Sequence, residues 1–124
     1  MLTRDEAIEI LNIYGKAWEK QDPDLIITIF TEDAKYHERF YEKPFSGHEG
    51  IRQYWKTKVC KEQANIKFKL LDFWIFNDTL IAEFESKFDD LAKQKRKHMK
   101  TVAILEIADG KIKSLREYWQ STEV

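Results

Sequence analysis

The sequence is short of the residues that staple, interrupt or anchor a chain. A single cysteine, Cys60, stands among 124 residues. It cannot close an internal disulfide, and no Cys/His spacing of the zinc type accompanies it. Two prolines and four glycines are present, and no linker, repeat or low-complexity segment divides the chain. No apolar run approaches the roughly 18 residues of a membrane span. Met1 to Glu6 carries no signal-peptide pattern. Neither sign of charge dominates: 21 Lys+Arg against 22 Asp+Glu leave a net charge of −1, with a pI near 6.3. A dedicated nucleic-acid binder is usually clearly basic. These absences predict one domain over residues 1–124 in a reducing cytoplasm, with no membrane and no nucleic-acid partner.

What is present is bulk. Hydrophobic residues make up 43% and aromatics 14% of the chain. A globule of this mass buries about two-thirds of its unfolded surface, enough for a core without staples. Four Trp, five Tyr and eight Phe exceed what a plain core of this size needs, which raises the prospect that some line a cavity.

Helices come first in the pattern. Thr3 and Glu6 have capping-box spacing. Ala7, Ile10, Leu11, Tyr14, Ala17 and Trp18 recur at helical intervals up to Lys20. Gly15 within that helix costs about 1 kcal/mol against alanine and marks a close contact. Asp22 as N-cap and Pro23 at the first helical position start a short second helix with Leu25, Ile26, Ile29 and Phe30 on its apolar side. Ala34 to Tyr41 reads as a strand with Ala34, Tyr36 and Glu38 on one face and Lys35, His37 and Arg39 on the other. Ser46 and Glu49 form a second capping box before a helix bearing Ile51, Tyr54, Trp55 and Val59. Lys61 to Asn65 is a polar turn.

The second half reads as strands: Ile66–Phe76, Leu80–Phe88, Lys95–Ala108 and Lys111–Gln120. Asn77-Asp78 and Asp109-Gly110 are the hairpin turns, the second having the stronger signal. Leu70-Leu71 and Phe73-Trp74 put apolar residues on both faces, so alternation does not assign the faces there. Val102, Ile104, Ile112 and Tyr118 are expected to share the face opposite Ala103 and Trp119. Three helices followed by a strand meander make an α+β layer architecture, a curved sheet wrapped on helices.

This order carries Ala17-Trp18…Asp22-Pro23-Asp24, Ile29 to Ala34, Phe45 to Arg52, and Gly110-Lys111-Ile112…Leu115-Arg116-Glu117-Tyr118-Trp119. With those segments the chain resembles the nuclear transport factor 2-like superfamily, and within it the SnoaL-like and ketosteroid-isomerase-like proteins. The resemblance covers nearly the whole chain. It implies a cone-shaped α+β fold in which three helices close one end of a strongly curved, mostly antiparallel sheet around an apolar pocket. It also implies a homodimer through the outer face of the sheet. The superfamily holds isomerases, dehydratases, epoxide hydrolases, cyclases and non-catalytic pockets, so fold does not fix function.

Aligned to ketosteroid isomerases, Tyr14 falls on the oxyanion-binding tyrosine and Glu38 on the carboxylate general base. Tyr54 falls on a pocket aromatic, with Trp119 near another. A carboxylate that removes a proton beside a carbonyl and a phenol that hydrogen-bonds the enolate are the pairing such chemistry needs. Two positions depart from the pattern. Ala103 stands where the family has a second, acidic oxyanion donor, and Trp55 replaces a supporting tyrosine. Loss of one such donor costs about 10²–10³ in rate. Strand parity places Glu117 with Leu115 and Trp119 on the pocket face, as a second acid that could form a carboxylate pair with Glu38.

The expected site is therefore Glu38 and Tyr14 as catalytic groups and Glu117 as a further acid. Trp18, Phe30, Tyr36, Tyr54, Phe84, Ala103 and Trp119 are expected to wall in a small apolar molecule, with no cofactor and no metal. Read as residues alone, Glu38 is also an ordinary solvated carboxylate and Tyr14 a core tyrosine. His37 is an alternative base. His37, His48 and His98 lie on different elements without ligand spacing. The basic run Lys93 to Lys100 reads as a strand start that pairs with Glu83 and Glu85, and Cys60 as a packed residue. Two functions fit: a cofactor-independent acid–base enzyme (isomerase, cyclase or hydratase-like) on an apolar carbonyl compound, or a non-catalytic ligand-binding or protein-interaction module with the same fold.

Overall fold

A computed structural model describes residues 1–39 and 41–124. The chain runs α1 (Arg4–Lys20), α2 (Pro23–Ile26), a 3₁₀ turn (Ile27–Ile29), β1 (Phe30–His37), β2 (Phe45–Ser46), α3 (Gly47–Glu62), β3 (Gln63–Phe76), β4 (Thr79–Asp90), β5 (Lys95–Ala108) and β6 (Lys111–Glu123). The strands form one six-stranded sheet in the order β2-β1-β6-β5-β4-β3. All neighbours are antiparallel except β1 and β6, which run parallel. The sheet is curved and unclosed, and the three helices pack on its concave side.

The start of α1 has the capping box that its sequence predicts. Thr3 Oγ1 accepts from the Glu6 N–H at 3.2 Å, and Glu6 Oε1 accepts from the Thr3 N–H at 2.9 Å. Asp22 caps α2 by accepting from the N–H groups of Asp24 and Leu25. At α3 the expected box is not made: Ser46 is the N-cap residue, but its side chain makes no capping hydrogen bond. Its hydroxyl instead accepts from Lys35 Nζ at 3.0 Å across the β1–β2 pair.

The segment boundaries nearest the concave face differ from the sequence reading. β1 begins at Phe30, because the second helix stops at Ile26 and the 3₁₀ turn delivers Phe30 and Ala34 directly into the core. It ends at His37, the last residue paired to β6. Glu38 and Arg39 lie in a bend, Tyr41 sits in a turn, and Phe40 lies outside the described residues. Lys61 to Asn65 is not a turn: α3 passes straight into β3 at Gln63. A register irregularity between Ala64 and Lys67 and a left-handed Asn65 (φ 51°) absorb the change of direction.

Register shifts also decide which side chains face inward. One between Leu70 and Asp72 explains why paired apolar residues occur there: Leu70 and Phe73 pack towards the core, while Leu71 and Trp74 are exposed. Another between Glu106 and Ile107 pairs Ile107 with Ile112 and buries both. The expectation that Ile112 lies on the outer face with Val102 and Tyr118 is therefore corrected. In the β5–β6 hairpin, Asp109 (φ 53°) and Gly110 (φ 76°) both adopt the left-handed conformation that tight hairpin turns require.

Among the described residues no helix is long and apolar enough to cross a membrane.

Candidate functional site in the concave face

The concave face of the sheet and the helices enclose a cavity of about 320 Å³, at the lower end of the range for small-molecule sites. Alternation along β6 delivers Glu117 into it. Leu115 and Glu117 both point inward and are buried, and Glu117 is only 6% exposed. Helix α1 brings Tyr14 above it and β1 brings Tyr36 beside it. The Tyr14 hydroxyl donates to Glu117 Oε1 at 3.4 Å, and the Tyr14 and Tyr36 hydroxyl oxygens are 3.5 Å apart. Tyr36 also hydrogen-bonds the Glu117 carboxylate.

Burial dominates the electrostatics of this cluster. Loss of solvation pushes the Glu117 pKa up from 4.5 to about 7, because the charged form is disfavoured in a low-dielectric site. Hydrogen bonds from Tyr36 and Tyr14 oppose the shift, and the negative charge of Glu38 adds to it. Desolvation, then the charge of Glu117, raises the hydroxyls of Tyr14, Tyr36 and Tyr54 well above their ordinary range. The three phenols therefore stay protonated at neutral pH, with Tyr14 and Tyr36 bonded to Glu117, which exchanges its own proton there.

Glu38 reaches the same cavity from the bend after β1. Its side chain is 14% exposed and pairs with Arg39 at 3.2 Å. The Arg39 guanidinium lies over the Trp119 ring, 5.3 Å from its centre. Trp119 Nε1 in turn donates to the Glu38 carbonyl at 3.1 Å. That interlock fixes a bend which no strand ladder holds. Trp18 donates through Nε1 to Gln63 Oε1 at 3.0 Å, and Tyr54 stacks on Phe45 with ring centres 4.2 Å apart.

Tyr14, Glu38, Glu117, Trp18, Tyr36, Tyr54 and Trp119 thus converge on one cavity. Phe30, Phe84 and Ala103, expected as lining, do not reach its surface. They are packed out of sight in the core: Phe30 lies against Tyr36, and Phe84 among Tyr14, Trp18 and Phe68. Ala103 lies directly across from Glu117 in the β5–β6 register. An acid thus stands across from position 103, on the adjoining strand. Trp55 borders the cavity, but among the described residues its buried Nε1 has no hydrogen-bond partner and donates to no tyrosine.

The mouth adds residues that the sequence reading did not place there. Lys58, Glu62, Asp90, Lys93 and Lys97 all border it, so the cavity is amphipathic. The signal for Lys97 was available: it continues the inward series Leu105, Ala103, Thr101, Met99 along β5. The histidines take other roles. His48 Nε2 is 2.8 Å from the Phe30 carbonyl oxygen and His98 Nε2 is 3.0 Å from Glu85 Oε2. His37 does not border the cavity. Cys60 donates to the Gln21 carbonyl, and burial raises its thiol pKa. Among the described residues no group of three His, Cys, Asp or Glu side chains is placed to hold a metal ion.

Three helices on a curved, mostly antiparallel sheet around such a cavity define the nuclear transport factor 2-like α+β cone. Within that class the chain belongs to the SnoaL-like domain family, whose model matches residues 12–115. No curated protein matches it in sequence. Among solved structures it is similar to the epoxide hydrolase/cyclase-like enzyme SalBIII, which has a role in pyran ring formation in the polyether salinomycin. The two share 19% identity and a TM-score of 0.84, with 100% of both chains covered. It is also similar to an LEH-like epoxide hydrolase of M. tuberculosis, at 16% identity and a TM-score of 0.76, covering 94% of this chain and 84% of that one.

Proposed function

We propose that the protein is a cofactor-independent acid–base enzyme for a small molecule, and that it opens an epoxide by attack of a hydroxyl group, from water or from the substrate itself. The observation that carries this reading is Glu117, a buried carboxylic acid with a pKa of about 7, held by two phenols on the same cavity as a second carboxylate, Glu38. A proton donor and a proton acceptor on one cavity are what such a reaction needs. Protonated Glu117 donates to the epoxide oxygen as the C–O bond breaks. Glu38 takes the proton of the attacking hydroxyl as the new C–O bond forms. Tyr14 and Tyr36 stabilise the glutamate left behind. Solvent then returns the proton from Glu38 to Glu117. The likeness of fold to an epoxide hydrolase/cyclase-like enzyme and an LEH-like epoxide hydrolase agrees with this chemistry, while the same acid–phenol pair would also serve a carbonyl oxygen.

Two measurements test it. A carboxyl-carbon NMR titration, with the resonance assigned by its loss in Glu117→Gln, is expected to give a midpoint near 7. Turnover of a panel of epoxides and hydroxy-epoxides, followed as diol or cyclic ether, is expected to fall by about 10²–10⁴ in Glu117→Gln and in Glu38→Gln. An ordinary glutamate midpoint together with no turnover would leave a non-catalytic binding module. Full activity in Glu38→Gln would remove Glu38 from the mechanism.

A further inference from the structure

The cavity is closed at one end by Glu117 and the tyrosines and open at the other, where lysines arrive from three separate segments. Lys58 comes from α3, Lys93 from the β4–β5 connection, and Lys97 from β5. They are not equivalent. Lys58 is engaged by Glu62 at 3.3 Å, one helical turn away. Among the described residues no carboxylate lies within ion-pair distance of Lys93 or Lys97. The acids nearby are otherwise occupied or differently placed. Asp90 accepts the Lys93 backbone N–H at 3.2 Å, Glu38 is held by Arg39, and Glu123 faces Lys97 only as its register partner on β6.

Lys97 is the more telling of the two. It stands on the concave face, opposite Phe88 in the β4–β5 register, where the other inward positions of the strand are Met99, Thr101, Ala103 and Leu105. A lysine on an inward face loses hydration unless its charge is used.

The geometry points to a substrate bearing one carboxylate group, which docks on Lys93 and Lys97 at the mouth while its apolar middle passes Trp18, Tyr54 and Trp119. This rests on the proposed function, because it takes the deep end of the cavity as the place of reaction. The two ends reinforce each other: an anion at the mouth, like the charge on Glu38, favours the protonated, donating form of Glu117.

A matched pair of probes separates charge from shape: 1-naphthaleneacetate and its uncharged amide, 1-naphthaleneacetamide. Binding is measured by calorimetry at low and high salt. The wild-type protein is expected to prefer the acid, and the preference to shrink as salt rises. In Lys93→Gln/Lys97→Gln the affinity for the acid is expected to fall about five- to tenfold, as for two partly exposed charge contacts, with the amide unaffected. Lys113→Gln, which lies away from the cavity, is expected to change neither. Equal affinity for the two probes, a preference that survives the double substitution, or no saturable binding of the acid at millimolar concentration would each overturn the inference. None of these readouts depends on turnover. Loss of acid preference beside a Glu117 midpoint near 7 would remove the carboxylate and leave the enzyme; the reverse pattern would leave an acid-binding module.

Discussion

Glu117 is delivered to the core by strand alternation alone, and its proton then becomes coupled to folding. Its pKa is about 7 in the folded protein against an ordinary 4.5. Between those values the folded state keeps a proton that the unfolded chain has released. Stability from this residue is therefore greatest at low pH and is lost as pH rises through the folded value. Across that interval the loss sums to about 3 kcal/mol. Glu117→Gln removes the dependence. Urea unfolding of both proteins at about pH 5 and about pH 8 is expected to show wild type losing stability relative to the variant as pH rises. Parallel curves would mean that the carboxylate is hydrated and not buried. The residue itself was legible, since inward parity with Leu115 needs only an alternating strand. Its partners were not. That Tyr14 and Tyr36 meet over it depends on how α1 crosses the sheet, which no local pattern encodes.

Whole elements were legible where a local signal had no competitor. The capping box of α1, Asp22-Pro23 at α2 and Asp109-Gly110 in the last hairpin each act within a few residues. Ser46 shows the opposite case: the spacing for a box is present, but a cross-strand lysine takes its hydroxyl. Register irregularities were illegible for a related reason, because a bulge depends on the partner strand as much as on the sequence that carries it. Gly15 joins both cases. Its place in a helix advertises a close contact, but the contacting group comes from β3. A Cβ at position 15 would lie 2.5 Å from Phe68 Cδ1, and that ring is hemmed in by Tyr14, Trp18 and Phe84. Alanine gains about 1 kcal/mol of helix propensity. Displacing a packed ring costs about 1–3 kcal/mol. Thermal or urea unfolding of Gly15→Ala is expected to show a net loss of stability, and Gly15→Ala/Phe68→Leu to recover part of it. A gain in the single variant would show that the Phe68 ring has room to swing away.

At the scale of the whole molecule, the two faces of the sheet have different fates. The concave face is spent on the core and the cavity. The convex face keeps apolar surface in the open: Trp74 is 50%, Tyr118 41% and Val102 39% exposed. The register joins these positions into one patch, with Trp74 beside Ile81, Ile81 beside Ile104 and Val102 beside Tyr118. Contiguous apolar patches of this kind mark interaction surfaces more often than isolated exposed residues do. Charges of both signs border it, including the Arg116–Glu106 pair at 3.1 Å. A face with an apolar centre and both signs at its rim can be complementary to itself across a two-fold axis. A second copy of the chain is therefore the expected occupant, and the cavity, on the other side of the sheet, stays open in such a dimer. Sedimentation at micromolar concentration is expected to give twice the chain mass of 14.9 kDa. Val102→Glu, which sets a carboxylate opposite Glu83 in the register, is expected to give monomer with its cavity ligand affinity retained. Wild-type protein that sediments as monomer across that range would show that the convex face meets solvent or another partner, and that the sheet needs no second copy to cover it.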